Sequence, residues 1–103
     1  MNKLLPIFMK LENQPCLVVG GGKIALQKIK QLLESKANIT VVAPEVISEI
    51  QSLSISIKYS NYSGNEVSNY KLVIAATDQE STNRQVYKDF RKLGIPVNVV
   101  DRP

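Results

Sequence analysis

The residues best placed to do chemistry in this sequence lie in one glycine-rich stretch, Val18-Val19-Gly20-Gly21-Gly22-Lys23-Ile24-Ala25. Gly20, Gly22 and Ala25 occupy the fixed positions of G-x-G-x-x-G/A, a pattern that follows a strand and opens a helix in dinucleotide-binding domains. The first glycine permits a tight turn, the second lets the backbone approach a pyrophosphate, and Ala25 lets the helix pack closely on the strand. The stretch therefore predicts a phosphate-binding loop at a helix N-terminus. The plainer alternative is a glycine-rich turn without a ligand.

Two carboxylates follow apolar runs further along the chain. Glu45 ends the stretch Val42-Ala43-Pro44-Glu45, near the place where an acidic residue of NAD-binding domains accepts hydrogen bonds from the adenosine ribose. No Arg follows that could hold a 2′-phosphate, which favours NAD over NADP, although Lys23 could contact phosphate. Asp101 follows an apolar run at 97–100, where a carboxylate could act as a general base. The plainer alternatives are a helix N-terminal carboxylate for Glu45 and a solvated strand-end residue for Asp101.

The elements that must position these residues alternate between strands and helices. Short apolar runs predict five strands, at 16–19, 39–43, 55–59, 72–76 and 97–100. Three of the runs are almost continuously apolar, which is typical of parallel strands covered on both faces. Cys16 lies inside the first run and is predicted to be a small core residue.

Helical spacing separates these runs. One stripe comprises Ala25, Ile29, Leu32 and Leu33, and a second comprises Val86, Phe90 and Leu93. Asp78 or Ser81 is the predicted N-cap of the second helix, and Gly94 its C-terminal stop. A weaker helix is predicted over 45–53, and a loop with one helical turn over 60–69.

This order of elements predicts an α/β fold, a Rossmann-type doubly wound parallel sheet of about five strands in a single domain over 1–103. A strand order of 3-2-1-4-5 would put the switch point between the first and fourth strands, where such sheets bind ligands at their carboxyl ends. Residues 20–22, 43–45, 76–78 and 100–101 follow those ends, so the candidate residues are expected to meet in one crevice.

The composition excludes several other classes of function. The net charge of +4 comes from scattered basic residues, so no nucleic-acid partner is expected. The chain has no His and one Cys, so no metal site of the usual kinds and no Ser-His or Cys-His nucleophile is expected. No apolar run approaches the ~20 residues of a membrane span, and we expect a cytoplasmic protein without a membrane partner.

Five motifs in order resemble one known family: Leu5-Pro6-Ile7-Phe8, Val-Val-Gly-Gly-Gly-x-x-Ala, Val-Val-Ala-Pro-Glu, Ile-Ala-Ala-Thr-Asp and Val-Asn-Val-Val-Asp. The sequence is similar over residues 5–103 to precorrin-2 dehydrogenases, the siroheme synthase N-terminal family. The resemblance implies NAD-dependent oxidation of the tetrapyrrole precorrin-2 to sirohydrochlorin, with Fe(II) insertion in some members. It also implies a homodimer in the full-length protein.

The resemblance also implies roles for individual residues. It assigns phosphate contacts to Gly22, Lys23 and Ile24, the adenosine to Pro44 and Glu45, and the border of the cofactor to Thr77 and Asp78. Asn83 and Asn98 would be supporting polar residues. Asp101 matches the aspartate that is central to dehydrogenation in the family, and to chelation where that occurs.

The sequence departs from the family in two respects. Lys36 stands where the family usually has Gly, in the turn after the first helix. The chain ends two residues after Asp101, so the family's dimerisation segment and helical domain are absent from it, and little activity is expected of the 103 residues alone. The alternative function is a non-catalytic, NAD-sensing regulatory Rossmann domain.

Overall fold

The computed structural model describes residues 10–100, and its central feature is a single parallel sheet. The five strands are β1 (Pro15–Val19), β2 (Asn38–Ala43), β3 (Ser56–Tyr59), β4 (Leu72–Ala75) and β5 (Val97–Val99). Their order across the sheet is β3-β2-β1-β4-β5, and each neighbouring pair is parallel. The predicted fold class and strand order are confirmed, with the switch point between β1 and β4.

Three helices connect the strands: α1 (Lys23–Glu34), α2 (Ser48–Gln51) and α3 (Glu80–Arg91). The predicted first and last helices are confirmed. The predicted helix over 45–53 is only one turn long, because Ile47 is itself extended and its N–H donates to the carbonyl of Gly21 at 2.9 Å instead of to a helical partner. The predicted helical turn within 60–69 is wrong, since that loop contains only a hydrogen-bonded turn from Gly64 to Val67.

Successive residues of a strand face opposite sides of the sheet, and both sides are covered. On one side Cys16 and Val18 pack with Ala25 and Ile29 of α1. On the other side α3 and the β3–β4 loop together cover the sheet: Leu17, Val19, Val42, Val73, Ala75, Val86 and Phe90 pack with Tyr62, Val67 and Tyr70. The continuous apolar run of β1 is thus explained by burial of both faces. Cys16 is a buried core residue, as predicted.

The ends of α3 differ in part from those predicted. Gly94 has φ 74° and stops the helix as predicted, with its N–H donating to the carbonyl of Arg91 at 2.9 Å. The prediction of Leu93 in the buried stripe is wrong, because it lies beyond the helix and is 54% exposed. The predicted N-caps are also wrong: the cap is Gln79, and its side chain makes no capping bond.

The described part of the chain contains no helix that is both long enough and apolar enough to cross a membrane.

A candidate dinucleotide-binding cleft

A cleft of about 790 Å³ opens at the carboxyl ends of β1, β2 and β4. Its volume lies within the about 300–1,000 Å³ that is typical of small-molecule sites. Its wall includes all the residues that the sequence predicted to contact a cofactor: Gly20, Gly22, Lys23, Ile24, Pro44, Glu45, Thr77 and Asp78. Folding therefore brings three separate segments to one crevice at the switch point, where doubly wound sheets bind ligands.

Gly20 is required by the close approach of β1 to the end of β4. Its φ is 137°, and a Cβ there would collide with the carbonyl oxygen of Ala76 and lie 2.7 Å from the carbonyl carbon. The Gly20 N–H donates to the carbonyl of Val42 at 3.0 Å, while the Ala76 N–H donates to that of Val19 at 2.8 Å. The first glycine of the motif therefore shapes the floor of the cleft.

Gly21 is a residue whose importance the motif did not reveal. A Cβ at Gly21 would collide with the carbonyl oxygen of Glu45 and lie 2.9 Å from Cγ1 of Val46. The β2–α2 connection therefore packs directly on the glycine loop, and it is tied there by the bond from Ile47 to Gly21. A third glycine at a position that the motif leaves free was the available signal.

Gly22 lies at the N-cap of α1 and is open to the cleft. Its φ of −100° is ordinary, and a Cβ there would meet nothing within 4 Å. No side chain in the described residues caps this helix, and no acidic residue lies in its first turn. The first N–H to find an intrahelical partner is that of Leu26, which donates to the Gly22 carbonyl at 3.0 Å. The earlier N–H groups point out of the helix end and can hold an anion.

These features fit the pyrophosphate of a dinucleotide. The open space at Gly22 allows close approach, and the unfilled N-terminus of α1 supplies donors and a partial positive charge. Lys23 is exposed at the same end, whereas Ile24 is half-buried, packs against the core and also lines the cleft.

Glu45 is exposed at the end of β2, beside the exposed ring of Pro44. It lies outside α2, whose first-turn carboxylate is Glu49, so it is not the helix N-terminal carboxylate of the alternative interpretation. The charged residues of the described cleft wall are Lys23, Glu45 and Asp78, and none is Arg. The carboxylate of Glu45 is thus free to accept hydrogen bonds from a ligand.

Thr77 and Asp78 follow β4 and differ in what their side chains can do. The Oδ1 atom of buried Asn83 accepts from the Thr77 N–H at 3.1 Å and from its hydroxyl at 2.7 Å. The Nδ2 of Asn83 donates back to the Thr77 carbonyl at 3.2 Å. The side chain of Thr77 is therefore committed to holding the β4–α3 turn, with Asn83 as its support. Asp78 is exposed and remains available to a ligand.

Two further wall residues, Asn61 and Tyr62, come from the β3–β4 loop. The polar composition of this segment predicts a loop and indicates no role in binding. An aromatic residue inside a polar segment was the signal that could have drawn attention to it. The Tyr62 hydroxyl donates to Oδ2 of Asp89 on α3 at 2.7 Å, so its ring is held in place.

The predicted catalytic Asp101 lies outside the described residues, as do residues 5–8, which carry the first family motif. The strand that leads to Asp101 is described: β5 pairs with β4, and the Val100 N–H donates to the carbonyl of Ala75 at 3.0 Å. Asn98, predicted as a supporting residue, is exposed on β5. The role of Asp101 stays a prediction.

Comparison with known proteins agrees with the geometry of the cleft. The chain is 45% identical over 102 residues to the siroheme synthase of Psychrobacter cryohalolentis, covering 95% of this chain and 20% of that protein. It is 44% identical over 103 residues to the siroheme synthase of Ectopseudomonas mendocina, covering 98% and 22%. The chain thus spans about a fifth of the length of these curated relatives.

A solved structure extends the comparison to the fold. SirC, precorrin-2 dehydrogenase, superposes with a TM-score of 0.80 at 31% identity, over 92% of this chain and 48% of that one. The resemblance stated from the sequence is therefore confirmed. Residues 7–103 match the family NAD_binding_7, described as "Putative NAD(P)-binding". With a glycine loop, an open helix N-terminus and a cleft at the switch point, this chain belongs to the NAD_binding_7 family of NAD(P)-binding domains.

Proposed function

We propose that this chain is the NAD-binding part of a precorrin-2 dehydrogenase, which oxidises precorrin-2 to sirohydrochlorin. The observation that carries the proposal is the glycine loop, whose open helix N-terminus lies at the switch point of a sheet resembling that of SirC. The similarity to siroheme synthases also supports a tetrapyrrole as the substrate. The full-length protein is then expected to be a homodimer, with the substrate site completed by further chain.

The cofactor of this proposal is NAD rather than NADP. Glu45 is exposed in the cleft wall at the end of the second strand, where a carboxylate accepts hydrogen bonds from the ribose hydroxyls and repels a 2′-phosphate. The described wall has no Arg to compensate that repulsion.

Calorimetric titration with NAD and with NADP tests this choice. NAD should bind at least about tenfold more tightly than NADP, because uncompensated repulsion between Glu45 and the 2′-phosphate should cost about 1.4 kcal/mol or more. Glu45→Gln should narrow the difference by weakening NAD and strengthening NADP. Glu12→Gln, which changes an exposed carboxylate before β1, is the matched control and should change neither affinity. Equal affinities for NAD and NADP in the wild type would overturn the choice of cofactor.

The proposed chemistry divides between residues that would hold the cofactor and a carboxylate that would accept a proton. The backbone of Gly22 and the start of α1 would hold the pyrophosphate, and Glu45 would orient the adenosine. The bound nicotinamide supplies the hydride acceptor. Oxidation of precorrin-2 removes a hydride and a proton, and the carboxylate of Asp101, after β5, accepts the proton.

An Asp101→Asn variant of the full-length protein tests the catalytic assignment. The amide keeps the shape but cannot accept a proton, so turnover of precorrin-2 should fall by about 10²–10⁴-fold while NAD binding is unchanged. The assay is the appearance of NADH absorbance, with Glu12→Gln as the control. Wild-type turnover by Asp101→Asn would remove Asp101 from the mechanism. A full-length wild type that binds NAD but never oxidises precorrin-2 would instead support the sensor interpretation.

A further inference from the structure

We propose that Asn61 and Tyr62 form the purine-binding wall of the cleft, and that Asp89 on α3 is the positioning residue that holds Tyr62 there. The ligand group is the adenine ring of the dinucleotide. The inference rests on the proposed function, since it assigns a place to one half of NAD, but it concerns a loop for which neither the glycine motif nor the comparisons specify a role.

The order of the strands puts this loop on the adenosine side. β3 is an edge strand next to β2, and the opposite edge of the sheet is formed by β5 next to β4. The N–H of Ser60, at the end of β3, donates to the carbonyl of Ala43 at 3.1 Å, one residue before Pro44. Asn61 therefore starts beside the segment that carries Glu45, and both residues line the same cleft. A purine attached to a ribose at Glu45 would lie next to this loop.

Tyr62 offers the kind of surface that a purine binds. Its half-buried side chain packs against the core cluster that contains Val19 and Val42, and it also lines the cleft. A flat aromatic ring presents apolar area and a π-face on which a base can stack. The exposed amide of Asn61 supplies a donor and an acceptor for the edge of the base.

Asp89 fixes where the ring of Tyr62 lies. Its Oδ2 accepts from the Tyr62 hydroxyl at 2.7 Å, and its Oδ1 accepts from Nε2 of Gln85 at 2.8 Å. Burial, together with this hydrogen bond and the negative charge of Asp89, raises the pKa of Tyr62 well above its usual value. The tyrosine therefore stays protonated and remains the donor. The bond links the loop to the helix across 27 residues of sequence.

A second carboxylate, that of Glu66, holds the β3–β4 loop at a later position in the chain. Glu66 is only 7% exposed, and its Oε1 accepts from the N–H groups of Ser63 and Gly64 at 3.1 and 3.0 Å. Its Oε2 lies 3.6 Å from Nζ of Lys58 on β3. A loop without a helix is thus held at two places before any ligand arrives. A preordered wall avoids the entropy cost of ordering the loop on binding.

Fragments of the cofactor test this assignment on the full chain. We would titrate NAD, ADP-ribose and nicotinamide mononucleotide by calorimetry. Tyr62→Ala should weaken NAD and ADP-ribose by a similar factor of roughly fivefold or more, the lower range of what base–aromatic stacking contributes. Binding of nicotinamide mononucleotide, which has no adenine, should be unchanged. Tyr87→Ala, at an exposed tyrosine of α3, is the matched control.

The positioning role has its own readout. Tyr62→Phe keeps the ring but removes the hydroxyl, and Asp89→Ala removes its acceptor. Each should weaken ADP-ribose, and the double variant should weaken it no more than either single change, because both remove the same bond. Additive losses would mean that Asp89 does not act through Tyr62.

The outcomes separate this inference from the proposed function. A wild type that binds neither NAD nor ADP-ribose would overturn the proposed function. A wild type that binds both, with Tyr62→Ala unchanged, would overturn the inference alone. Equal weakening of all three ligands would also overturn it, since a general distortion would then explain the loss. Should Tyr62→Ala fail to fold, as judged by thermal melting, Tyr62→Phe and Asp89→Ala decide the question.

Discussion

Replacing Gly22 by Asp should change stability and cofactor binding in opposite directions. Gly22 is the N-cap of α1, its φ and ψ of −100° and −161° suit any residue, and a Cβ there meets nothing within 4 Å. Asp is a preferred N-cap, and this helix has no side-chain cap. The new carboxylate would therefore accept hydrogen bonds from the N–H groups that a pyrophosphate needs.

The stabilising effects of Gly22→Asp are small but share one sign. An Asp cap in place of Gly contributes a few tenths of a kcal/mol, and its charge at the helix N-terminus about 0.3–1 kcal/mol. Loss of glycine's freedom in the unfolded chain adds about 0.4–1 kcal/mol. The free energy of unfolding should thus rise by about 1 kcal/mol, which raises Tm by roughly 4–8 °C in a domain of this size.

The effect on binding is larger and opposite in sign. Two like charges about 4 Å apart repel by about 4 kcal/mol at the effective dielectric near a protein surface. Even after partial relaxation, a loss of about 2.7 kcal/mol, or about 100-fold in the Kd for NAD, is expected. Gly22→Asn is the matched control, because it caps the helix without the charge and should weaken NAD far less.

Thermal melting and calorimetry on the same preparations provide the check. A Gly22→Asp protein that binds NAD within about threefold of wild type would refute the placement of the phosphates at the start of α1. A clear fall in Tm would refute the open environment of Gly22. Gly20→Ala provides a contrast to Gly22→Asp. It should lower Tm and unfold the domain, because the new Cβ would collide with the backbone of Ala76.

Two further predictions concern stability. Lys36, after α1, has φ 60°. Lys36→Gly should remove about 1–2 kcal/mol of left-handed strain and lose about 0.4–1 kcal/mol to the greater entropy of the unfolded chain, so Tm should rise slightly. Lys30→Gly, within α1, is the control and should lower Tm. Burial would raise the pKa of Glu66, but three backbone N–H groups, including its own, and the Lys58 ammonium lower it overall. Its stabilising effect is therefore present above the unfolded pKa of about 4.3 and lost as pH falls through the folded pKa. In denaturant titrations, the free energy of unfolding of Glu66→Gln should fall less steeply than that of wild type below about pH 5. Glu49→Gln, at an exposed carboxylate, is the control and should show the wild-type pH dependence. The same pH dependence for Glu66→Gln and wild type would contradict this prediction.

Details at the ends of elements were not predictable from the local pattern. The N-cap of α3 was expected at Asp78 or Ser81, but Asn83, one turn into the helix, holds the preceding turn through Thr77. Leu93 has the right spacing for the buried stripe, yet the helix ends before it. The first error arose because the amide that bonds the turn before the helix comes from Asn83, beyond the usual cap position. The second arose because the helix ends at Arg91, ahead of the left-handed Gly94, and apolar spacing does not show where a helix ends.

The sequence alone determined the α/β class, the strand order and the place of the glycine loop, since these follow from apolar periodicity, from the handedness of crossovers and from a motif in which each residue has a steric reason. Only the tertiary structure decided why Gly21 must be glycine and that the β3–β4 loop lines the cleft. Both depend on contacts between segments that are distant in the chain: the carbonyl of Glu45 at Gly21, and Asp89 at Tyr62. Contacts between residues so far apart leave no periodic trace in the chain, and packing is what creates them.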